Sequence, residues 1–158
     1  PNDAYLAALY ADGVIVFYYA ETGEEAWIIS AEDPVSCACF SDDGRLLAVG
    51  HVFGVITIID VYSKMIIHRS INGKHKVTHL IVAPNSGKER CRFVSATREN
   101  KLFLHSVYDD DEHKDCPVVD SSLDRSVHVP DPEITDICFD AKNLIVGLSN
   151  GCFGLQQF

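Results

Sequence analysis

The basic residues of this chain are concentrated in one window, where they could bind an anion. The 158 residues include 13 Lys and Arg and 23 Asp and Glu, so the net charge is −10. Nine of the basic residues but only two acidic ones lie between Lys64 and Lys101, which gives this window a charge of +7 and leaves −17 for the rest. Because the whole chain is acidic, general nucleic-acid binding is not expected. An anionic partner is expected only at the basic window.

Potential metal ligands occur at three places, but with spacings that do not suit a metal. His75 and His79 are four residues apart in a segment that we expect to be extended, where this spacing separates them by about 13 Å. Cys37 and Cys39 project to the same side of one strand, yet no second pair completes a zinc site. The acidic run 109–112 lacks the alternating ligands and the turn glycine of a calcium loop. We therefore expect no bound metal and no cofactor.

The cysteines are expected to be core residues. Cys39 and Cys138 occupy the same position in two repeated units, and Ile81 occupies it in a third. A cysteine that alternates with isoleucine is expected to be a small buried apolar residue. We therefore predict reduced thiols rather than a disulfide framework, and an intracellular, cytoplasmic protein with the nucleus as an alternative. The longest apolar stretch, Leu46–Ile59, is shorter than the roughly 20 residues of a membrane-spanning helix.

The elements that position these residues are short apolar runs joined by tight polar turns, and they recur about every 40 residues. The first residues after four such turns are Val14, Val55, Lys101 and Cys152, so the steps are 41, 46 and 51. The runs are four to eight residues long and rich in Val, Ile, Leu, Phe and Tyr, which predicts strands. A period of this length indicates stacked units that cannot bury their apolar faces alone.

Each repeated unit is predicted to contain up to four antiparallel strands, labelled a to d. The predicted strands are Tyr5–Tyr10, Val14–Ala20 and Ala26–Ser30 in the first unit; Val35–Phe40, Leu46–Gly50, Val55–Val61 and Met65–Ile71 in the second; Val77–Ala83, Arg92–Thr97, Lys101–Tyr108 and Pro117–Asp120 in the third; and Ile134–Asp140, Leu144–Leu148 and Cys152–Phe158 in the fourth. The four units span residues 4–31, 34–72, 76–120 and 133–158. The first unit lacks strand a and the fourth lacks strand d.

Two sequence patterns resemble the WD-repeat family of β-propellers. One is the hairpin Leu46–Asp60, and the other is the spacing of Val35, Ala38 and Phe40, which Ile134, Ile137 and Phe139 repeat. The resemblance implies an all-β propeller of four-stranded antiparallel blades, with about three and a half blades in this chain. Family propellers have about four to eight blades, most often seven. We therefore expect a part of a larger WD-repeat protein, whose remaining blades cover the two open edges.

The chain departs from the family at its signature positions. The Trp-Asp pair appears as Ile59-Asp60, and its other three places hold Tyr18-Tyr19, His105-Ser106 and Gln156-Gln157. The aspartate of the family's hairpin turn matches Asp12, while Phe53, Glu99 and Asn150 stand at the other three places. No unit holds a complete hydrogen-bond network of the family type. We therefore expect divergent blades that are held mainly by packing.

The resemblance implies a non-catalytic protein–protein interaction scaffold. In the family, the b–c and d–a loops open on one face of the disc, and the matching positions there are Lys74, His75, Lys76, Arg98 and Lys101. Charge-assisted contacts from these residues could hold an acidic or phosphorylated segment. The alternative for the same residues is that they keep a blade soluble or pair with acidic neighbours.

Two other functions are weaker alternatives. One is a regulatory or sensor propeller in a multidomain protein whose nucleotide-hydrolysing or other enzymatic module lies outside this segment. The other is a propeller enzyme with its site in the central channel. The mostly apolar character of strand a, as in Val35–Phe40 and Ile134–Phe139, argues against the enzyme.

Overall fold

The computed structural model describes residues 4–84, 89–108, 118–120, 133–140 and 143–157. The described residues form β-strands connected by turns and short loops. The strands are β1 (Tyr5–Leu9), β2 (Val14–Tyr19), β3 (Glu25–Ser30), β4 (Val35–Phe40), β5 (Leu46–His51), β6 (Val55–Asp60), β7 (Met65–Ile71), β8 (Val77–Ala83), β9 (Cys91–Thr97), β10 (Leu102–Tyr108), β11 (Val118–Asp120), β12 (Ile134–Asp140), β13 (Asn143–Leu148) and β14 (Phe153–Gln157). The predicted strands are present: four have the predicted bounds, and the others differ by one residue at one or both ends.

The strands form four antiparallel sheets in which neighbours along the chain are neighbours in space. Sheet 1 is β1-β2-β3, sheet 2 is β4-β5-β6-β7, sheet 3 is β8-β9-β10 with β11 paired to β10, and sheet 4 is β12-β13-β14. Each sheet is therefore a meander built from local hairpins. The acidic run 109–112, for which no bound metal is expected, lies outside the described residues.

Apolar side chains hold the sheets together as a stack. One cluster joins sheets 1 and 2, a second joins sheets 2 and 3, and a third joins sheets 3 and 4. The central members of these clusters are Ile15, Phe17, Leu47 and Val49; Ile56, Ile58, Leu80 and Phe93; and Val94, Ala96, Ile137 and Leu144. Strands β5 and β6 are buried along their whole length, because both faces of sheet 2 are covered. Their nearly continuous apolar sequences are typical of such strands.

The first strand of sheets 2, 3 and 4 carries the same irregularity. In β4, β8 and β12 the pairing register shifts after the first residue, as in a β-bulge. Beside the first bulge, the Ser36 hydroxyl donates to the Val77 carbonyl oxygen over 2.7 Å. Beside the second, His79 Nε2 donates to the Thr135 carbonyl oxygen over 3.0 Å. The bulges therefore let consecutive sheets bond to each other at the start of β4, β8 and β12.

A repeated backbone hydrogen bond links each b–c turn of sheets 2 to 4 to the segment before the first strand of the same sheet. Val52 N donates to Pro34 O, Arg98 N to Lys76 O and Ser149 N to Glu133 O, each over 2.9 Å. The turns and the inter-sheet segments are thereby held together at one end of the stack. We call this end the loop face.

Candidate partner-binding site on the loop face

Two adjacent segments carry the five candidate residues. Lys74, His75 and Lys76 lie between β7 and β8, while Arg98 and Lys101 flank the β9–β10 turn. The Arg98–Lys76 backbone bond joins the two segments, and Thr97 N donates to Lys101 O over 2.9 Å to close the turn. The side chains thus project from segments that the backbone holds in place.

Glu99 contacts two of the five candidate residues. Its Oε1 lies 2.6 Å from His75 Nε2, and its Oε2 lies 2.8 Å from Lys101 Nζ. All three side chains are partly exposed. His75 and Lys101 thus pair with an acidic neighbour, which is the alternative to partner binding given above. The sequence places Glu99 in the turn but does not reveal this pairing, because His75 is distant along the chain.

The other three candidates remain open to solvent. Lys74, Lys76 and Arg98 are exposed, and none of them forms an ion pair within 4.0 Å with another described residue. The loop face therefore has an open half, consisting of Lys74, Lys76 and Arg98, and a paired half, consisting of His75, Glu99 and Lys101.

Other cations of the basic window serve the structure. Arg69 pairs with Glu32 over 2.8 Å and also with Asp33, which ties β7 to the segment between sheets 1 and 2. Arg92 is buried, and its Nη1 donates to the Pro84 carbonyl oxygen over 3.1 Å. The charge of the window is thus spread over the molecule, and the open half contains only part of it.

Three cysteines are neutral thiols at the contact between sheets 2 and 3. Burial raises the pKa of Cys37 and Cys39, and it raises the pKa of Cys91 to about 12. All three belong to the apolar cluster between these sheets or pack against it. Cys138 in β12 and Cys152 just before β14 differ from the expectation of buried residues, since both are exposed. No group of His, Cys, Asp and Glu that could hold a metal is found within the described part of the chain.

Two buried histidine networks were missed by the sequence analysis. His51 contacts the Asp33 carbonyl oxygen through Nδ1 over 3.0 Å and Thr57 Oγ1 through Nε2 over 2.9 Å. His105 Nε2 accepts hydrogen bonds from Asn72 Nδ2 over 3.1 Å and from Ser95 Oγ over 3.0 Å. The sequence feature that could have revealed them is a histidine within a mostly apolar strand.

The second network crosses between two sheets and keeps its histidine uncharged. Asn72 lies after β7 of sheet 2, whereas Ser95 and His105 lie in sheet 3. His105 is fully buried, and burial lowers its pKa to about 4, with a smaller effect from the charge of His68. Buried hydrogen bonds therefore supplement packing at this contact.

The opposite end of sheet 2 carries a cleft of about 530 Å³. Asp60, the remaining acidic member of the family's pair, pairs with Arg45 over 3.3 Å and accepts from the amides of Tyr62 and Ser63. The cleft is lined by Arg45, Asp60, Tyr62, Ser63, Met65, Ile66 and Ile67. Lys64 is exposed in the same turn, at the other end of the molecule from the loop face. Asp60 therefore fastens a turn.

One catalytic spacing went unnoticed in the sequence. Residues Gly147, Ser149 and Gly151 fit the Gly-x-Ser-x-Gly pattern of a nucleophile elbow. In the structure this run enters the hairpin turn between β13 and β14, where Gly151 N donates to Leu148 O. A nucleophile elbow instead lies between a strand and a helix. The local structure is that of a b–c hairpin.

Comparisons with known proteins support the propeller architecture. Residues 24–85 match the model of the anaphase-promoting complex subunit 4 WD40 domain. Over 107 residues the chain is 22% identical to echinoderm microtubule-associated protein-like 2 of Rattus norvegicus, covering 68% of this chain and 16% of that protein. The part of the chain that the structure describes contains no helix long and apolar enough to span a membrane.

Solved structures agree with the sequence matches. The β-propeller domain of Cps50 (Swd1) from Myceliophteria thermophila superposes with a TM-score of 0.73 at 17% identity, over 99% of this chain and 49% of that chain. The computationally designed Ika4 protein superposes with a TM-score of 0.67 at 16% identity, over 98% of this chain and 86% of that chain. The predicted resemblance to the WD-repeat family and the predicted propeller fold are confirmed.

Proposed function

We propose that this WD-repeat segment is a non-catalytic protein–protein interaction scaffold whose loop face binds an acidic or phosphorylated segment of a partner. WD40 propellers typically serve as interaction scaffolds. The observation that carries the specific proposal is the open half of the loop face. There, two cations of the β7–β8 segment and Arg98 of the neighbouring turn are exposed without ion pairs to other described residues.

The geometry of the open half favours an anionic partner. The Arg98–Lys76 backbone bond holds two cationic residues side by side before a partner arrives. Preorganised groups reduce the entropy that binding must overcome. Ammonium and guanidinium groups form short, charge-assisted hydrogen bonds with carboxylate and phosphate oxygens. A flexible acidic segment could therefore bind without rearranging the sheets.

The proposal also places this segment within a longer protein. The chain spans about one sixth of the rat relative and about half of the Cps50 propeller domain. Apolar side chains such as Leu6 and Ile28 on sheet 1 and Leu155 on sheet 4 are exposed. We assign their cover to the remaining blades of a parent protein. The free thiols of Cys37 and Cys91 suit a cytoplasmic location.

Charge reversal at the open half tests the binding proposal. The probe is a fluorescein-labelled hexaglutamate peptide, with a phosphoserine peptide as a second probe, and the readout is fluorescence anisotropy at low and high salt. The triple variant Lys74→Glu, Lys76→Glu, Arg98→Glu should lose salt-sensitive binding, because repulsion replaces three attractions. Circular dichroism should stay unchanged, because all three side chains are exposed.

A matched pair of single variants separates the site from overall charge. Lys76→Glu and Lys64→Glu change the net charge equally, but Lys64 lies at the opposite end of the molecule. Lys76→Glu should weaken binding more. Binding that survives the triple variant, or equal effects of the two single variants, would overturn the proposal.

A further inference from the structure

Glu99 places a carboxylate inside a surface that is otherwise suited to carboxylates. It bridges His75 and Lys101 across the two segments of the loop face, with contacts of 2.6 and 2.8 Å. We infer that Glu99 is an internal competitor, which occupies the paired half and sets how tightly the loop face binds an acidic partner. This inference rests on the proposed function and names a residue that regulates it.

The backbone holds Glu99 in place from both sides. Arg98 N is bonded to Lys76 O before it, and Asn100 N donates to Thr97 O after it. Asn100 is buried with a φ of 59°, and its Oδ1 accepts from Ile134 N of sheet 4 over 3.0 Å. The carboxylate is therefore presented from a turn that is tied to its own sheet and to the next.

Comparison with the equivalent turns shows why this side chain acts differently. Asp12 and Asn150 stand at the same turn position, and their oxygens accept from the amides of Val14 and Cys152, two residues later. These shorter side chains stabilise their own turns. Glu99 is one methylene longer and contacts His75 and Lys101 instead. At this repeated turn position, Asp and Asn therefore stabilise their own turns, whereas Glu99 acts on the loop face.

The electrostatic consequence is a penalty for an incoming anion. A partner carboxylate must compete with Glu99 for His75 and Lys101, and on the open half it still experiences the repulsion of that nearby charge. Removing the charge while keeping the shape, as in Glu99→Gln, should free His75 and Lys101 for the partner. Because the pairs are partly exposed, we expect binding of the acidic probe to tighten by about two- to fivefold.

The test measures hexaglutamate binding to native chain, Glu99→Gln and Glu24→Gln by anisotropy. Glu24 is exposed in the β2–β3 turn, so its variant has the same net charge without touching the loop face. Only Glu99→Gln should tighten binding beyond the control. Adding His75→Gln and Lys101→Met to Glu99→Gln should abolish the gain. Thermal unfolding of each variant checks that the fold is retained.

The outcomes separate this inference from the proposed function. If the open-half variant loses binding but Glu99→Gln matches the control, the scaffold proposal stands and the competitor role is wrong. Weaker binding by Glu99→Gln would also overturn the inference, because Glu99 would then position the cations for the partner. If native chain and Glu99→Gln both fail to bind the probe, both proposals are wrong.

Discussion

The same face of two sheets is buried in one case and exposed in the other. On sheet 2, Ile56 pairs with Gly50, Ile58 pairs with Ala48, and both isoleucines have no exposed surface because sheet 3 covers them. On sheet 4, Phe153 pairs with Gly147 and Leu155 with Ile145, yet their exposures are 70% and 64%. The hairpins are alike, so local pairing forms a sheet whether or not its face is covered.

This comparison separates the formation of a sheet from its stabilisation. Each hairpin forms its backbone hydrogen bonds between its own strands, whereas its apolar faces gain free energy only when another sheet removes them from water. Substitutions at the covered face should therefore destabilise the chain, and equivalent ones at the exposed face should not.

The largest effect is expected for Phe93→Ala. Phe93 is fully buried in β9, within the cluster between sheets 2 and 3. Removing it leaves a cavity and should lower the free energy of unfolding by about 3–5 kcal/mol. Urea unfolding followed by circular dichroism measures the loss. Phe153→Ala is the matched control and should change stability by less than about 1 kcal/mol. Similar losses for both variants would contradict the distinction between the two faces.

A smaller effect is expected for Gly50→Ala. An added Cβ would lie 2.7 Å from Val77 Cγ1 and 2.9 Å from Cys37 Sγ, so sheets 2 and 3 would have to separate slightly. Overpacking of this kind costs about 1–3 kcal/mol. Gly147, at the equivalent place in sheet 4, has Thr135 Oγ1 at 3.3 Å as its nearest neighbour. Gly147→Ala should therefore be tolerated, and an equal shift of the urea midpoint for both variants would show that the covered face is not tightly packed.

A third effect, a pH dependence, is expected at the same covered contact. The pKa of His105 is lowered from 6.5 to about 4 in the folded chain, so the unfolded chain takes up the proton first as pH falls. The free energy of unfolding should therefore decrease as pH falls from about 6.5 towards about 4. Urea unfolding between these values measures the slope.

The variant His105→Gln tests whether His105 causes this dependence of the free energy of unfolding on pH. Gln at position 105 retains an acceptor for Asn72 and Ser95 but does not titrate, so His105→Gln should reduce the slope. Burial also lowers the pKa of His51 and His68. Part of the slope should therefore remain, and a slope unchanged from the native chain would show that His105 does not cause it.

The strands could be predicted from sequence because their signals are local. The hairpin Leu46–Asp60 alternates apolar runs with a glycine-containing turn, and β5 and β6 lie there. The bounds differ where a turn takes the terminal residue. Tyr10, for example, follows β1 and bonds to Val14 across the turn. Position in the repeat likewise identified the loops that carry Lys76 and Arg98.

Pairing between distant residues could not be predicted in the same way. Glu99 was assigned only as a departure from the family's turn aspartate, since nothing in its spacing connects it with His75. Cys138 was expected to be buried because it matches Cys39, but burial depends on a neighbouring sheet, and Cys138 is exposed. His105 gained its polar partners from another sheet and another strand.

The sequence alone determined the order of strands and turns and the concentration of cations, because apolar alternation, turn residues and charge are properties of the local chain. The tertiary structure decided which apolar faces are covered, which histidines are buried and which cations stay open to a partner. Those outcomes depend on distances between separate segments. The meeting of Glu99 with His75 is the clearest case, since it requires two loops brought together by the Arg98–Lys76 backbone bond.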